Sequence, residues 1–419
     1  IRTIKTTGKV SNLIEKVASS VDKDTTCGIG HTRWATHGGV SDTNCHPHTF
    51  GKVTLIHNGI IENYHELEKE FAKEGKFPVS QTDSEIAAMV IDSLYTGDAY
   101  EALRKASDIL DGAYGFCILF HDQPGVIYAI RKGSPLVACQ SEQGSIIASD
   151  MVALIKYSKD YFVLPEHHIA KLDGSQIEVT ALDGTVVEPK ILHVDWDITS
   201  AKKGGYPHYM LKEIHEQPDA LHNTITPRVK NGMLDFKEDG IADDVFTDIN
   251  RVIIIGCGTA MHAGLIGKVM FEKLLRIPVT VEIASEFRYN DPILDKNTLV
   301  ITISQSGETA DTLAALRLSK EAGCKTLSIV NVKGSSIARE SDYVFYTHAG
   351  PEIAVASTKA YMVQLSSIYM IAFKFAMIRG TISKEACEDY LKQLQDTIKA
   401  VATTIDLDKQ IEKISDANS

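Results

Sequence analysis

The hydrophobic periodicity of the chain changes once, near its middle, so the two halves cannot share one architecture. From about Val53 to Val187 the residues fall into short alternating or apolar segments: Val53–Ile56, Ala113–Phe120, Val126–Arg131, Leu136–Cys139 and Ile146–Ser149. Turns such as DQPG and SEQG separate them. His168–Thr180 and Gly184–Ile191 add alternating segments around two Asp-Gly turns, and Thr82-x-x-Glu85 reads as a capping box opening a helix over Ser84–Leu94. This half is expected to be an antiparallel core covered by helices. In the second half, strand candidates Val252–Ile255, Val279–Ile283, Leu299–Ser304, Thr326–Val330 and Tyr343–Tyr346 alternate with helical spacing over Ala260–Leu275 and Asp311–Ala322. That rhythm predicts a parallel sheet with helices on both faces. Ser357–Met377 is a further predicted helix.

Between the halves, Asp197–Asp219 follows neither pattern. Lys202 to Gly205 reads as a turn, and Tyr206–Glu216 mixes rings, histidines and charges without a core stripe. At 419 residues, and about 150 residues per domain, two or three domains are expected. The boundaries fall at 1–200, an interdomain linker at 201–245, a second domain at 246–385, and a helical connector at 386–419.

Composition excludes some classes. Net charge is -12 with no basic block, so a partner bound through its phosphate backbone, such as nucleic acid, is not expected. No run of 18 apolar residues calls for a membrane span; Met362–Met377 comes nearest but carries Gln364 and Lys374. Seven scattered cysteines without a CxxC pair suit a reducing cytoplasm. Ile1 opens no signal-peptide pattern and is not an initiator Met, so upstream sequence is expected.

Chemistry gathers at several places. The strand LVITIS runs into SQSGET, where Gly307 permits close backbone approach and Ser304, Ser306 and Thr309 offer hydroxyls to an anion at a helix start. A polar turn with a helix cap would use the same residues. No GxxxxGK[ST] is present, so a phosphate here would be a substrate's handle and not a nucleotide's. IGCGTA at 255–260 is a second Gly-rich turn without GxGxxG spacing; Thr259 could add a hydroxyl, and Cys257 reads as a packed residue. EIAVAST at 352–358 is either a third wall or simply a helix start.

Upstream, HTRWATHG at 31–38 holds Arg33, able to clamp a carboxylate through two parallel bonds, and Trp34, able to form a wall. Asn58 and Gly59 after a strand are suitable oxyanion donors, and Asp83 could take an amine. These suit acyl transfer on an amino-acid amide if a nucleophile is near. Cys27, His31, Cys45, His46 and His48 lack a repeated metal-ligand spacing, and histidines bonding to loops fit better; no metal is assigned. Neither Cys27 nor Cys45 has an evident base.

The ordered motifs HTRWATHG, HPH at 46–48, HNGIIENY at 57–64, TDSE at 82–85, HYMLKEIHEQP at 208–218, GCGT at 256–259, SQSGETADT at 304–312 and VASTKA at 355–360 resemble the isomerising glutamine–fructose-6-phosphate aminotransferases. The resemblance implies an α+β N-terminal-nucleophile-type glutaminase domain of antiparallel sheets layered with helices, then an α/β sugar-isomerase domain with a parallel sheet. It implies that Arg33, Trp34, His37 and Asp83 bind L-glutamine and that Asn58 and Gly59 hold the oxyanion. Thr259, Ser304, Gln305, Ser306 and Thr309 would surround the phosphate of D-fructose 6-phosphate, with Val355 and Ser357 near the sugar chain. The family's parent reaction gives D-glucosamine 6-phosphate and L-glutamate by amide hydrolysis, internal ammonia transfer and isomerisation, needs no cofactor, and is carried out by a homodimer.

The family nucleophile is the first cysteine of the mature chain, upstream of Ile1, and none of the seven cysteines inherits its role. A second sugar-isomerase domain, with the ring-opening His, proton-transferring Glu and substrate-contacting Lys, is not represented. Ala260 stands where many relatives have Ser. This chain alone is therefore expected to lack glutaminase and complete synthase activity. Two other readings stay open: a related glutamine-dependent sugar-phosphate isomerase, and a non-catalytic sugar-phosphate sensor or partner-binding remnant.

Overall fold

A computed structural model describes residues 1–20, 25–33, 37–194 and 202–418. The chain divides into two compact units, Ile1–Asp195 and Trp196–Ser419.

In the first unit, helix α1 (Val10–Ala18) buries none of its residues. Strands β1 (His48–Phe50), β2 (Val53–Ile61), β3 (Gly112–Phe120), β4 (Ile127–Lys132), β5 (Val137–Ser141), β6 (Gly144–Ala148), β7 (Asp160–Val163), β8 (His168–Leu172), β9 (Ile177–Ala181) and β10 (Leu192–His193) form two antiparallel sheets. One has the order β1-β2-β3-β4-β8-β9 and the other β10-β7-β5-β6. Side chains alternate across a strand, so β3 sends Phe116, Ile118 and Phe120 into one core and Cys117 into another. The first core is closed by α2 (Tyr64–Lys73), α3 (Asp83–Leu94) and α4 (Ala99–Ile109), the second by β5 and β7. This is the helix-covered antiparallel architecture expected.

Two local expectations change. Thr82 precedes α3 but makes no capping bond with its side chain. Its hydroxyl meets His48 Nε2 at 3.2 Å, and the Glu85 carboxylate accepts the Val79 and Ser80 N–H groups. The motif thus ties the preceding loop instead of boxing the helix. Gly184–Ile191 is not a strand; a single bridge joins Val186 to Thr180.

In the second unit, α5 (Tyr209–His215), α6 (Gln217–Ile225) and the short hairpin β11 (Val229–Lys230) and β12 (Met233–Leu234) precede the sheet. Residues 201–245, expected as linker, contribute Leu221, Ile225, Leu234 and Phe236 to the main core of this unit. The sheet comprises β13 (Arg251–Gly256), β14 (Val279–Ile283), β15 (Thr298–Ser304), β16 (Lys325–Val330) and β17 (Tyr343–Tyr346), all parallel, in the order β14-β13-β15-β16-β17. Both faces are buried, which is why its strands read as continuous apolar runs. Val252 and Ile254 join the core built by α6, α7 (Thr259–Leu275), α11 (Lys359–Ile378) and α12 (Lys384–Ile405). Ile253 and Ile255 face α8 (Ala284–Phe287) and α9 (Ala310–Glu321), with α10 (Ser336–Glu340) alongside α9. A last helix, α13 (Asp408–Asp416), buries no residue.

Helix α11 is long and apolar enough to cross a membrane by length and composition, yet 67% of its apolar window is buried inside the fold. It is a core helix, and its Lys374 pairs with Asp243 at 2.9 Å.

Candidate functional site

In the first unit a pocket of about 290 Å³ is lined by His31, Arg33, His37, His46, His57–Ile60 and Thr82–Ser84. Four stretches of chain meet there: His31, Arg33 and His37; His46; the end of β2; and the start of α3. Of the residues expected to bind an amino-acid amide, Arg33, His37, Asn58, Gly59 and Asp83 come together. Trp34 lies outside the described residues. Among the described residues, no cysteine lines the pocket.

Asn58 and Gly59 sit where β2 pairs with Gly115 and Tyr114 of β3. Gly59 has φ +135°, and a Cβ there would strike the Ala113 carbonyl oxygen. Only glycine keeps this strand intact while turning its backbone toward the pocket. The Arg33 N–H donates to His31 Nδ1 at 2.9 Å, so the proton of a neutral His31 sits on Nε2. That group donates to Asn58 Oδ1 at 2.7 Å. The bond sets the Asn58 amide, leaving its Nδ2 as the donor for another group.

Arg33 is itself held by the chain. Nη1 donates to the Gly39 carbonyl at 3.0 Å, and Nη2 to those of His37 and Gly38 at 2.6 and 3.1 Å. Among the described residues this leaves Nε–H and one Nη1–H for a carboxylate, fewer donors than the open clamp expected.

Asp83 is buried at the first turn of α3, and its Oδ2 accepts the Ile61 N–H at 2.9 Å. His37 and His57 each place Nδ1 at 3.9 Å from its carboxylate. The Ser84 hydroxyl bridges His57 Nδ1 at 3.0 Å and His46 Nε2 at 3.1 Å. His31, His46 and His48 follow in contact, tilted and then edge-on, with ring centroids 4.1 and 4.9 Å apart. Burial pushes His46 down to about 2 and both His48 and His57 down to about 4; neighbouring positive groups add to this, and Asp83 opposes it at His57. Burial also lowers His31, against the pull of its Asn58 bond. The histidines expected to bond to loops are thus an uncharged polar wall, His31 and His46 on the pocket surface and His48 behind them. His57 and Ser84 were visible within HNG and TDSE, but their meeting across 27 residues has no local signal.

In the second unit, the strand order counted from β13 is 2-1-3-4-5, so the direction of winding reverses between β13 and β15. Ligands of open α/β sheets bind in the crevice at the carboxyl ends of such a pair. GCGT leaves β13 there and SQSGET leaves β15. Cys257 Sγ and Thr312 Oγ1, one on each side, are 3.9 Å apart.

Ser304 Oγ accepts the Gly307 N–H at 3.0 Å and meets Thr309 Oγ1 at 2.9 Å; Ser306 Oγ accepts the Glu308 N–H at 3.1 Å. Gln305 accepts the Asn331 N–H through its carbonyl at 3.2 Å. The Glu308 carboxylate accepts the Ser336 N–H at 2.8 Å, drawing the loop onto α10. Gly307, at φ +64°, packs so closely on Ser335 that a Cβ would overlap that side chain. Thr309 precedes α9 without capping it through its side chain, so the first N–H groups of α9 face outward with the positive end of its dipole. Thr259 opens α7 and is exposed.

The third expected wall, 352–358, is held by its own bonds. Val355 is 87% exposed, and the Ser357 hydroxyl donates to Glu352 Oε2 at 2.8 Å. Among the described residues no hydrogen bond joins 352–358 to the 304–309 loop.

A family model described as a SIS domain matches residues 245–374, and one described as a glutamine amidotransferase domain matches 32–156. The protein of Clostridium tetani named glutamine–fructose-6-phosphate aminotransferase [isomerizing] is 45% identical over 99% of this chain and 69% of its own length. That of Streptomyces coelicolor with the same name is 44% identical over 96% of this chain and 66% of its own. Among solved structures, the C-terminal domain of glucosamine-fructose-6-phosphate aminotransferase from Francisella tularensis is 41% identical with a TM-score of 0.50, over 51% of this chain and 60% of that one. The chain spans about two-thirds of the length of the sequence relatives named.

Proposed function

Because the chain belongs to the isomerising glutamine–fructose-6-phosphate aminotransferase family, we propose that it binds L-glutamine in its first unit and D-fructose 6-phosphate in its second. The whole protein's reaction in this reading yields D-glucosamine 6-phosphate and L-glutamate. The observation that carries the sugar end is the pair of turns at 256–259 and 304–309 on the two strands where the sheet reverses.

At the amide end, Asp83 takes the substrate's amino group and the remaining donors of Arg33 take its carboxylate, with Trp34 and His37 as walls. Asn58 Nδ2 and the Gly59 N–H stabilise the oxyanion, where one aligned donor is worth ~3 kcal/mol in the transition state. At the sugar end, Thr259, Ser304, Gln305, Ser306 and Thr309 surround the phosphate at the α9 N-terminus, and Val355 and Ser357 flank the sugar chain. In this reading residues 1–200 and 246–385 carry the two functions, with 201–245 and α12 packed into the core of the second unit and the residues after α12 a helical connector. Homodimerisation is part of the reading, and Leu265, Ile266 and Val269, exposed on α7, supply an apolar patch for association. Seven unpaired cysteines fit a cytoplasmic setting.

Titration calorimetry of the chain with L-glutamine and, separately, with D-fructose 6-phosphate tests this. Saturable binding of both supports the reading. Sugar phosphate alone favours the sensor alternative, and binding of neither overturns it.

A further inference from the structure

We propose that Glu213, on α5, is a positioning residue for the sugar-phosphate site, holding the 352–358 segment in the shape that presents Val355 and Ser357. The proposal rests on the reading of those two residues as neighbours of the sugar chain. Glu213 lies outside the 245–374 span that the SIS-domain family model matches.

Glu213 is only 2% exposed. Its Oε1 accepts two backbone N–H groups in succession, from Ile353 at 2.6 Å and Ala354 at 3.1 Å, across some 140 residues of sequence. Its Oε2 is buried with no hydrogen-bond partner among the described residues. Removing a carboxylate from water is unfavourable by several kcal/mol, and bonds from N–H groups to its charge are what offset that penalty. Both of these bonds go to one segment, so retaining the 353–354 backbone is the visible work of this side chain.

The segment is arched and tied at its other end by a second carboxylate. Glu352 Oε1 accepts the Thr358 and Ala360 N–H groups at 2.9 and 3.0 Å, while Oε2 takes the Ser357 hydroxyl. The next residue, Lys359, is 2% exposed and bonds Glu216 Oε2 at 2.7 Å, so the stretch carrying Glu213 also anchors the root of the arch. Val355 and Ala356, between the tied points, are exposed. Among the described residues, the hydrogen bonds that hold 353–357 run to these two carboxylates, and the exposed crown buries little of its own side chains.

Two variants of the full chain test this. Glu213→Met fills a similar volume without an acceptor, and Glu213→Gln keeps a carbonyl oxygen for both N–H groups. Hydrogen–deuterium exchange resolved at Ile353 and Ala354, without ligand, should be slow in the wild type and in Glu213→Gln. In Glu213→Met it should be at least about tenfold faster, with the melting transition retained. D-Fructose 6-phosphate affinity should fall at least about tenfold in Glu213→Met and stay within about threefold in Glu213→Gln. Slow exchange in Glu213→Met, or unchanged affinity there, would overturn the assignment. Should Glu213→Met not fold, the wild type decides: unprotected amides at 353 and 354 refute the proposal, and protected ones matched by Glu213→Gln support it. Absence of sugar-phosphate binding by the wild type would fell the functional reading instead, leaving exchange to decide whether Glu213 holds the arch.

Discussion

Gly59 shows most directly how one residue joins fold to site. At φ +135° beside the Ala113 carbonyl, any Cβ forces the β2–β3 ladder apart. Gly59→Ala is expected to destabilise the first unit by ~2 kcal/mol or more and to abolish glutamine binding, checked by urea unfolding and calorimetry. The neighbouring histidines give a pH signature. His48 and His57 protonate near 6.5 when unfolded but only near 4 in the fold. Between those values the unfolded chain holds more protons, so stability falls as pH drops through 6.5. The loss is ~1.4 kcal/mol per pH unit for each histidine within that window, with no contribution well above pH 7. Scanning calorimetry should show a falling melting temperature from pH 7 to 5, while the two imidazole Cε1–H resonances do not titrate until below pH 5. Residue identities here were legible in HTRWATHG, HNG and TDSE. The His31–Asn58 bond that orients the amide was not, because nothing local links positions 27 residues apart.

Among the elements, β15 and α9 make their junction a candidate site through the loop between them. Ser304 is both an acceptor for the Gly307 N–H and the partner of Thr309. Ser304→Ala is expected to weaken D-fructose 6-phosphate binding about tenfold and to lower stability by ~1 kcal/mol, measured by calorimetry and denaturant titration. The parallel strands were legible because a sheet buried on both faces leaves nearly unbroken apolar runs; Val279–Ile283 and Tyr343–Tyr346 match their strands end for end. The Thr82–Glu85 motif misled because a capping box is a local pattern, whereas His48 and the 79–80 N–H groups compete for the same side chains through the tertiary fold.

For the molecule as a whole, Arg228 tells how the stretch before the sheet belongs to the second unit. It is 4% exposed, lies 3.9 Å over the Phe345 ring, and donates to the Tyr346 carbonyl and, through Nε at 2.8 Å, to Asp239. Asp239→Ala strands this buried cation and is expected to cost about 3–5 kcal/mol of second-unit stability in denaturant unfolding. A passive linker would shift by no more than ~0.5 kcal/mol. Composition could not reveal this, since Tyr206–Glu216 carries charges where a core stripe was sought, yet Lys212 and Glu213 are buried there and Glu216 pairs with the buried Lys359. By itself the sequence determined the two architectures, the parallel strands and the residue types at both sites, because periodicity and turn chemistry act over a few neighbouring residues. Only the tertiary structure decided which turns share a crevice, which histidines lose their charge and which carboxylate holds the 352–358 arch, because burial and hydrogen-bond pairing depend on chain segments brought together from far apart.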